Sequence, residues 1–406
     1  MVDVKPSLTL LSRAFDGFER AVAAHAAAWP TGGSDAVRTT WLGLPALESA
    51  VLGPEPPDAD LLVVPADWLP ALAAGGRIRA LTPHLERDPP QGWPEAWSPS
   101  FHEGVTWGDY VYGLPFHDGP QLMFTRPSLL AEHGLDPPTT WSELLDQAAA
   151  LQERADRTGS VLAGTVLAGY ADGHNNVYDL VLHLRRCGGD LVDAEGRITL
   201  DTAPMRAALA FLREVVTTLV SPAARGMDSN QSGEEFAAGR VGVAVNWAGY
   251  AALAAAGAVA VDFSCAVVPT HDDGRPTVTV NAFWVACVST ACADPDRAWD
   301  YLRHASSAAM DLETTRAGAS GARRSTWADP DLLVAHPEHA LFEQAHAHSR
   351  PLPPVPELPA LVAVLNALVD VVVWRGEPLE PALATATAAA ATLVPPLPRS
   401  RPQEHP

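Results

Sequence analysis

The sequence predicts an α/β protein of two domains. Three observations carry this. The chain has 406 residues, more than one ordinary hydrophobic core holds. Hydrophobic residues make up 47% of it, enough for large interiors and too many for a disordered chain. Short apolar runs alternate with stretches of helical spacing, as in linked strand–helix units.

The elements follow in order. Residues 7–12 (SLTLLS) predict a strand, and residues 14–29 a helix with apolar Phe15, Phe18, Val22 and Ala26 on one face. RTTWL (38–42) is a second strand. DLLVV (60–64) is a third, a continuous apolar run such as a parallel sheet buries on both faces. Residues 69–74 are helical and close on Gly75-Gly76. The Pro- and Trp-rich 88–99 is a loop, and VTWGDYV (105–111) is strand-like. GLPFHDGPQLMFTR (113–126) then sets an acid, Asp118, between two runs that favour burial. A buried charge is costly unless paired, whereas one facing a cleft is not.

Residues 127–133 read as a helix. Another starts near Trp141, with Thr140 or Ser142 as its cap. Helices are expected at 176–186, ended by Gly188-Gly189, and at 203–219, and a strand is expected at 241–246. VTVNAFWVACVS (278–289) predicts one long strand, and 294–307 a helix. Residues 308–330 read as a broken, Gly-rich stretch. Residues 361–373 and 379–393 read as helices, and the tail from Pro395 as loosely held.

Composition excludes several functions. The net charge of −21 argues against nucleic acid or an anionic membrane as partner, since both reward Lys and Arg. Lys5 is the only lysine, so a phosphate-loop or Schiff-base lysine elsewhere in the chain is excluded. No run of ~18 apolar residues spans a membrane. The first residues lack the basic region, apolar stretch and cleavage site of a signal peptide. Cys187, Cys265, Cys287 and Cys292 show no zinc spacing and read as buried free thiols, the alternative being one small disulfide between Cys287 and Cys292.

The order of these features resembles the extracellular solute-binding proteins of ABC importers, the carbohydrate-binding family that includes maltose-binding protein. The blocks that carry the likeness are DLLVVPADW (60–68), GLP (113–115), GLDPPTTWSELL (134–145), CGGDLVDAEG (187–196), FAAGR (236–240), GARRS (321–325) and RGEPLEPAL (375–383). The likeness as a whole runs from about residue 7 to 394. The resemblance implies a type II periplasmic-binding-protein fold. Two α/β lobes, residues 1–115 with 279–315 and 116–278 with 316–406, would be joined by three crossings and close on a ligand between them. It also implies a non-catalytic receptor with no cofactor. The receptor would act as a monomer, take up a sugar or small oligosaccharide and deliver it to ABC permease subunits. It would be extracellular, held at the membrane by a leader or lipid anchor absent from this sequence. The alternative is a cytoplasmic protein of the same fold, a sensor or an enzyme on a glycoside-like molecule.

In that frame the stretch around Asp118 is the first crossing. Asp118 then sits at the cleft mouth and accepts from sugar hydroxyls, or else caps a turn in the hinge, since Asp-Gly-Pro is also a turn signal. His117 stands beside it as a cleft residue. Sugar faces need flat aromatics and sugar edges need short polar groups. Asp67 and Trp68 end a buried strand, where open α/β sheets place ligands. Asp67 equally reads as an N-cap, and Trp68 as lobe packing. Trp247 ends another strand, and Tyr178 matches an aromatic of the second lobe. Ser12, Phe15 and Trp41 lie at the ends of the first two strands, Asn281, Phe283 and Trp284 near the second crossing, and Arg324 near the third. The helix 361–373 carries Leu and Val where maltose-binding proteins present an aromatic, so a smaller or different glycoside is as consistent as a maltodextrin.

Other chemistry is sparse. There is no Gly-x-Ser-x-Gly and no Gly-x-Gly-x-x-Gly. His336, His339, Glu343 and His346 fall on one helical face by spacing, either as a metal-binding set or, by default, as a solvated surface.

Overall fold

A computed structural model describes residues 7–32, 36–158, 164–167, 169, 175–220, 224 and 226–393. The tail from Pro395 lies outside the described residues.

The first lobe is built on a five-stranded sheet. Its order is Val37–Leu42, Leu8–Arg13, Leu61–Pro65, Trp284–Val288 and Leu114–His117. The first three are parallel, and Trp284–Val288 runs antiparallel to both its neighbours. The apolar run at 61–65 is buried at every position, as a central parallel strand requires. Val37–Leu42 is largely exposed, and its polar Arg-Thr-Thr centre suits a sheet edge.

The second lobe holds a three-stranded antiparallel sheet, Val243–Trp247, Gln121–Thr125 and Ser264–Val267. Helices Asn175–Arg186, Ala203–Thr218, Leu358–Val369 and Leu379–Ala390 pack into one apolar core beside it. The chain crosses from one sheet to the other between His117 and Gln121. It returns between Val267 and Trp284, and crosses a third time after helix Ala308–Arg316.

Several expectations shift, each for a local reason. Strand Leu114–His117 stays in the first sheet, so the crossing starts at Asp118. The expected strand 105–111 is a hairpin, Thr106–Trp107 against Tyr110–Val111, because Gly108 turns the chain at φ 61°. The expected long strand 278–289 is two. Thr279–Val280 pairs with Ser349–Arg350 in the hinge, and Trp284–Val288 enters the first sheet. The stretch read as broken contains helix Ala308–Arg316, capped by Ser307. Helix 361–373 runs as Leu358–Val369 followed by a π-turn at Asp370–Trp374. Thr140 is the cap near Trp141: its Oγ1 accepts from the Glu143 amide, and Glu143 accepts in return from the amides of Thr139 and Thr140.

All four cysteines are free thiols, so Cys287 and Cys292 are not bonded. Burial pushes the Cys292 thiol up to about 11, and it raises that of Cys287 as well. The histidine-rich segment is not one helix. The short 3-10 turn Pro337–Leu341, which holds His339, separates His336 from helix Phe342–Ala347, which carries Glu343 and His346. Glu343 pairs with Arg324 at 2.8 Å and His346 points elsewhere, so the expected four-residue face does not form.

Candidate ligand cavity between the lobes

Strand register fixes the floor of the site. Trp284 lies opposite Pro65 on one side and His117 on the other, at the sheet end where Leu8–Arg13 also finishes. Across the gap, Trp247 ends its strand opposite Gln121, the first residue after the crossing. Between these ends is a cavity of about 350 Å³.

Its first-lobe wall is aromatic. Phe18 meets Phe15, Phe116, His117 and Trp284 edge-on, with ring centroids 5.1–5.3 Å apart. Edge-to-face packing favours such contacts and holds Phe15 and Trp284 against the cavity. The second-lobe wall carries Trp247, crossed by Tyr178 at 5.4 Å and 89°. The Trp247 indole N–H donates to Asn175 Oδ1 at 3.1 Å, fixing the ring plane.

Polar groups are held by the backbone nearby. Asp228 caps helix Ser229–Ala237 in a reciprocal box with Gln231, which sets Asp228, Ser229 and Asn230 on the cavity. His117 Nδ1 lies 2.9 Å from the Ser320 amide and 3.1 Å from the Ser320 carbonyl oxygen, so Ser320 holds the ring in place. Burial pushes the His117 imidazole down to about 4; Asp118 opposes this shift and Arg13 adds to it. The ring is therefore neutral near pH 7.

Asp118 departs from the expectation of a solvated mouth residue. It is 1% exposed although it lines the cavity. His346 Nε2, also buried, donates to Asp118 Oδ2 at 2.8 Å, and His346 Nδ1 lies 3.2 Å from Ser100 Oγ. The His346 ring stacks on Trp327 at 5.0 Å. The Asp118 amide donates to Ser320 O at 3.0 Å. A burial cost is thus met by an imidazole brought in from the third crossing. The other carboxylate oxygen, Oδ1, is buried and has no hydrogen-bond partner among the described residues.

Of the residues singled out from sequence, Phe15, His117, Asp118, Tyr178, Trp247, Phe283 and Trp284 line the cavity. Six do not. The Ser12 hydroxyl is buried and donates to Val63 O at 2.8 Å, so backbone consumes it. Trp41 packs against the first-lobe core. Trp68 is buried there as well, the packing alternative of the sequence reading. Asp67 and Asn281 line a separate cavity of about 30 Å³ with Glu103 and Pro351. Asp67 lies in the 3-10 turn Ala66–Trp68 and accepts from Tyr178 Oη at 3.1 Å, a bond between the lobes. Arg324 lies on the surface with Glu343.

Sequence reasoning missed Arg13, Phe18, Asn175, Asp228, Ser229, Asn230 and Tyr250. Two signals were present. Arg13 follows Ser12 at a strand end, and DSNQ (228–231) has the spacing of a helix cap. Asn175 and Tyr250 carry no local pattern.

Comparison with known proteins follows from this geometry. The family described as bacterial extracellular solute-binding protein matches residues 14–311. A probable ABC transporter-binding protein of Deinococcus radiodurans is 24% identical over 298 residues, 72% of this chain and 69% of its own length. An ABC transporter solute-binding protein of Agrobacterium radiobacter K84, solved in complex with ribitol, superposes with TM-score 0.84 at 22% identity. The match covers 96% of this chain and 99% of that one. Maltose-bound MalE3 of T. maritima superposes with TM-score 0.81 at 19% identity, covering 96% and 100%.

Proposed function

The chain belongs to the bacterial extracellular solute-binding protein family, and from that premise we propose that it captures a neutral sugar or polyol between its lobes for an ABC importer. The observation that carries this is the lining of the 350 Å³ cavity: flat rings on both walls, with hydroxyls, amides and carboxylates between them. Rings cover the C–H faces of a sugar, and the short polar groups meet its hydroxyls. The volume suits a ligand of one or two rings better than a long chain.

Roles divide by chemistry. Trp247 and Trp284 would stack on ligand faces from opposite lobes. Asp118 Oδ1 and Asp228 would accept from hydroxyls. Arg13, on the cavity wall, would donate, and the His117 ring beside it offers one further polar contact. Structures of similar fold hold ribitol, maltose, α-D-tagatose and D-mannitol, all neutral and polyhydroxylated. The lobes we propose are those read from the sequence, with the first boundary moved to Asp118. The receptor acts as a single copy outside the cytoplasm and docks on permease subunits. No helix among the described residues is long and apolar enough to cross a membrane. Members of the matched family bind solutes, and on that ground we infer a receptor that releases its ligand unchanged.

A calorimetric screen of sugars and polyols tests the reading. One or more should bind at about micromolar Kd, with Trp247→Ala weakening the hit at least tenfold. A hit bound equally well by Trp247→Ala would overturn the site assignment. Conversion of the hit during incubation, seen by mass spectrometry, would favour an enzyme instead.

A further inference from the structure

The turn between helices Pro330–Ala335 and Phe342–Ala347 gathers chemistry that sugar capture does not use. In a 3-10 turn, residues three apart eclipse one another. His336 caps the turn Pro337–Leu341 and His339 lies three residues on, so their rings stack at 5.4 Å. Glu338 lies between them in sequence. One ligand atom from each of His336, Glu338 and His339 falls within 4.8 Å of the others. Nδ1 of His336 and Oε1 of Glu338 are already 3.3 Å apart. Two ligands on one tetrahedral ion, at bond lengths of about 2.0–2.1 Å, sit roughly 3.4 Å apart.

Two further observations point to a missing partner. Glu338 is buried, yet among the described residues its one ion-pair partner is His336 rather than an arginine. That imidazole engages one carboxylate oxygen, Oε1, at 3.3 Å. His339 is 3% exposed, and its Nδ1 makes no hydrogen bond among the described residues. Phe342 lies 4.5 Å from the His339 ring and limits its movement.

We propose that His336, Glu338 and His339 form a site for a divalent transition-metal cation of the zinc type. Two imidazoles and one carboxylate suit zinc, nickel or copper, whereas magnesium and calcium favour oxygen ligands. Three protein ligands leave a fourth position for water. Cys265, on strand Ser264–Val267, is not part of the set whose ligand atoms converge. The cation would fasten the segment that leads into helix Phe342–Ala347, which carries the His346 partner of Asp118.

The test uses the full chain, stripped with chelator and dialysed, titrated calorimetrically with zinc chloride. Expected are one zinc per chain, no heat from magnesium chloride at the same concentration, and a melting temperature a few degrees higher with zinc. His339→Asn and Glu338→Gln should each weaken zinc at least tenfold, with circular dichroism confirming that they fold. Glu338→Gln, close to isosteric, carries the test alone if His339→Asn does not fold. Anomalous diffraction at the zinc edge should place a peak between the three side chains. Zinc binding weaker than on the order of 0.1 mM, unchanged affinity in a folded variant, or a peak on other histidines would overturn the proposal. None of these readouts involves sugar, so this site and the cavity stand or fall separately.

Discussion

Asp118 exchanges water for an imidazole, and that exchange explains why a charge can sit between two apolar strands. The sequence showed the acid and the apolar strands around it; the partner, 228 residues away, carried no local signal. Removing one member of a buried pair leaves the other uncompensated, at a cost of about 3–5 kcal/mol. Asp118→Ala and His346→Ala should each destabilise the fold by about that amount in urea titrations. The double variant should cost clearly less than the sum, and a strictly additive double would show that the two do not interact. His25 makes a second residue-scale forecast. It is fully buried, with Nε2 2.9 Å from Met310 O, and burial pushes its pKa down to about 4 from an ordinary 6.5. The unfolded chain therefore takes up a proton at this ring over the interval where the folded chain does not. Stability should hold above pH 6.5 and fall as the pH drops towards 4, by on the order of 3 kcal/mol from this ring. His183, buried and shifted in the same direction, adds to the slope. Melting temperatures that stay flat from pH 7 to pH 4.5 would contradict both assignments.

At the scale of elements, what was legible depended on how local its cause is. Leu61–Pro65 declared itself by a continuous apolar run, whereas Trp247 was singled out through the family resemblance rather than by a local signal. Ser12 and Trp68 stood at similar strand ends, but one hydroxyl was taken by a neighbouring carbonyl and one indole by the core. Nothing in a single segment reveals that choice, because a neighbour from another segment makes it. The hairpin at 106–111 was misread as a strand although Gly108 marked its turn, and the helix at 308–316 was hidden by the Gly-rich stretch that follows it. Asp67 turned out to be a link between elements. Its carboxylate joins the end of a first-lobe strand to Tyr178 on a second-lobe helix, outside the main cavity. A hydrogen bond to a charged acceptor contributes about 1.5–3 kcal/mol. If this one forms only with the lobes together, its loss lowers the closed population and hence the affinity. Asp67→Ala should weaken sugar binding about tenfold without touching the ligand. Unchanged affinity would place the bond outside the closing motion.

For the whole molecule, the topology itself implies a hinge. Among the described residues the two sheets are joined by the segments near Asp118, between Val267 and Trp284, and after Arg316, and the cavity lies between strand ends from both sheets. Opening at those segments would separate Trp284 from Trp247. A ligand that touches both walls favours the closed arrangement by the difference in its contacts between the two states. Small-angle X-ray scattering of the chain, alone and saturated with the sugar found by calorimetry, tests this most directly. The account predicts a smaller radius of gyration with sugar, and no such change in a Trp247→Ala variant at the same sugar concentration. A saturating sugar that leaves the radius of gyration of the unaltered chain unchanged would contradict it.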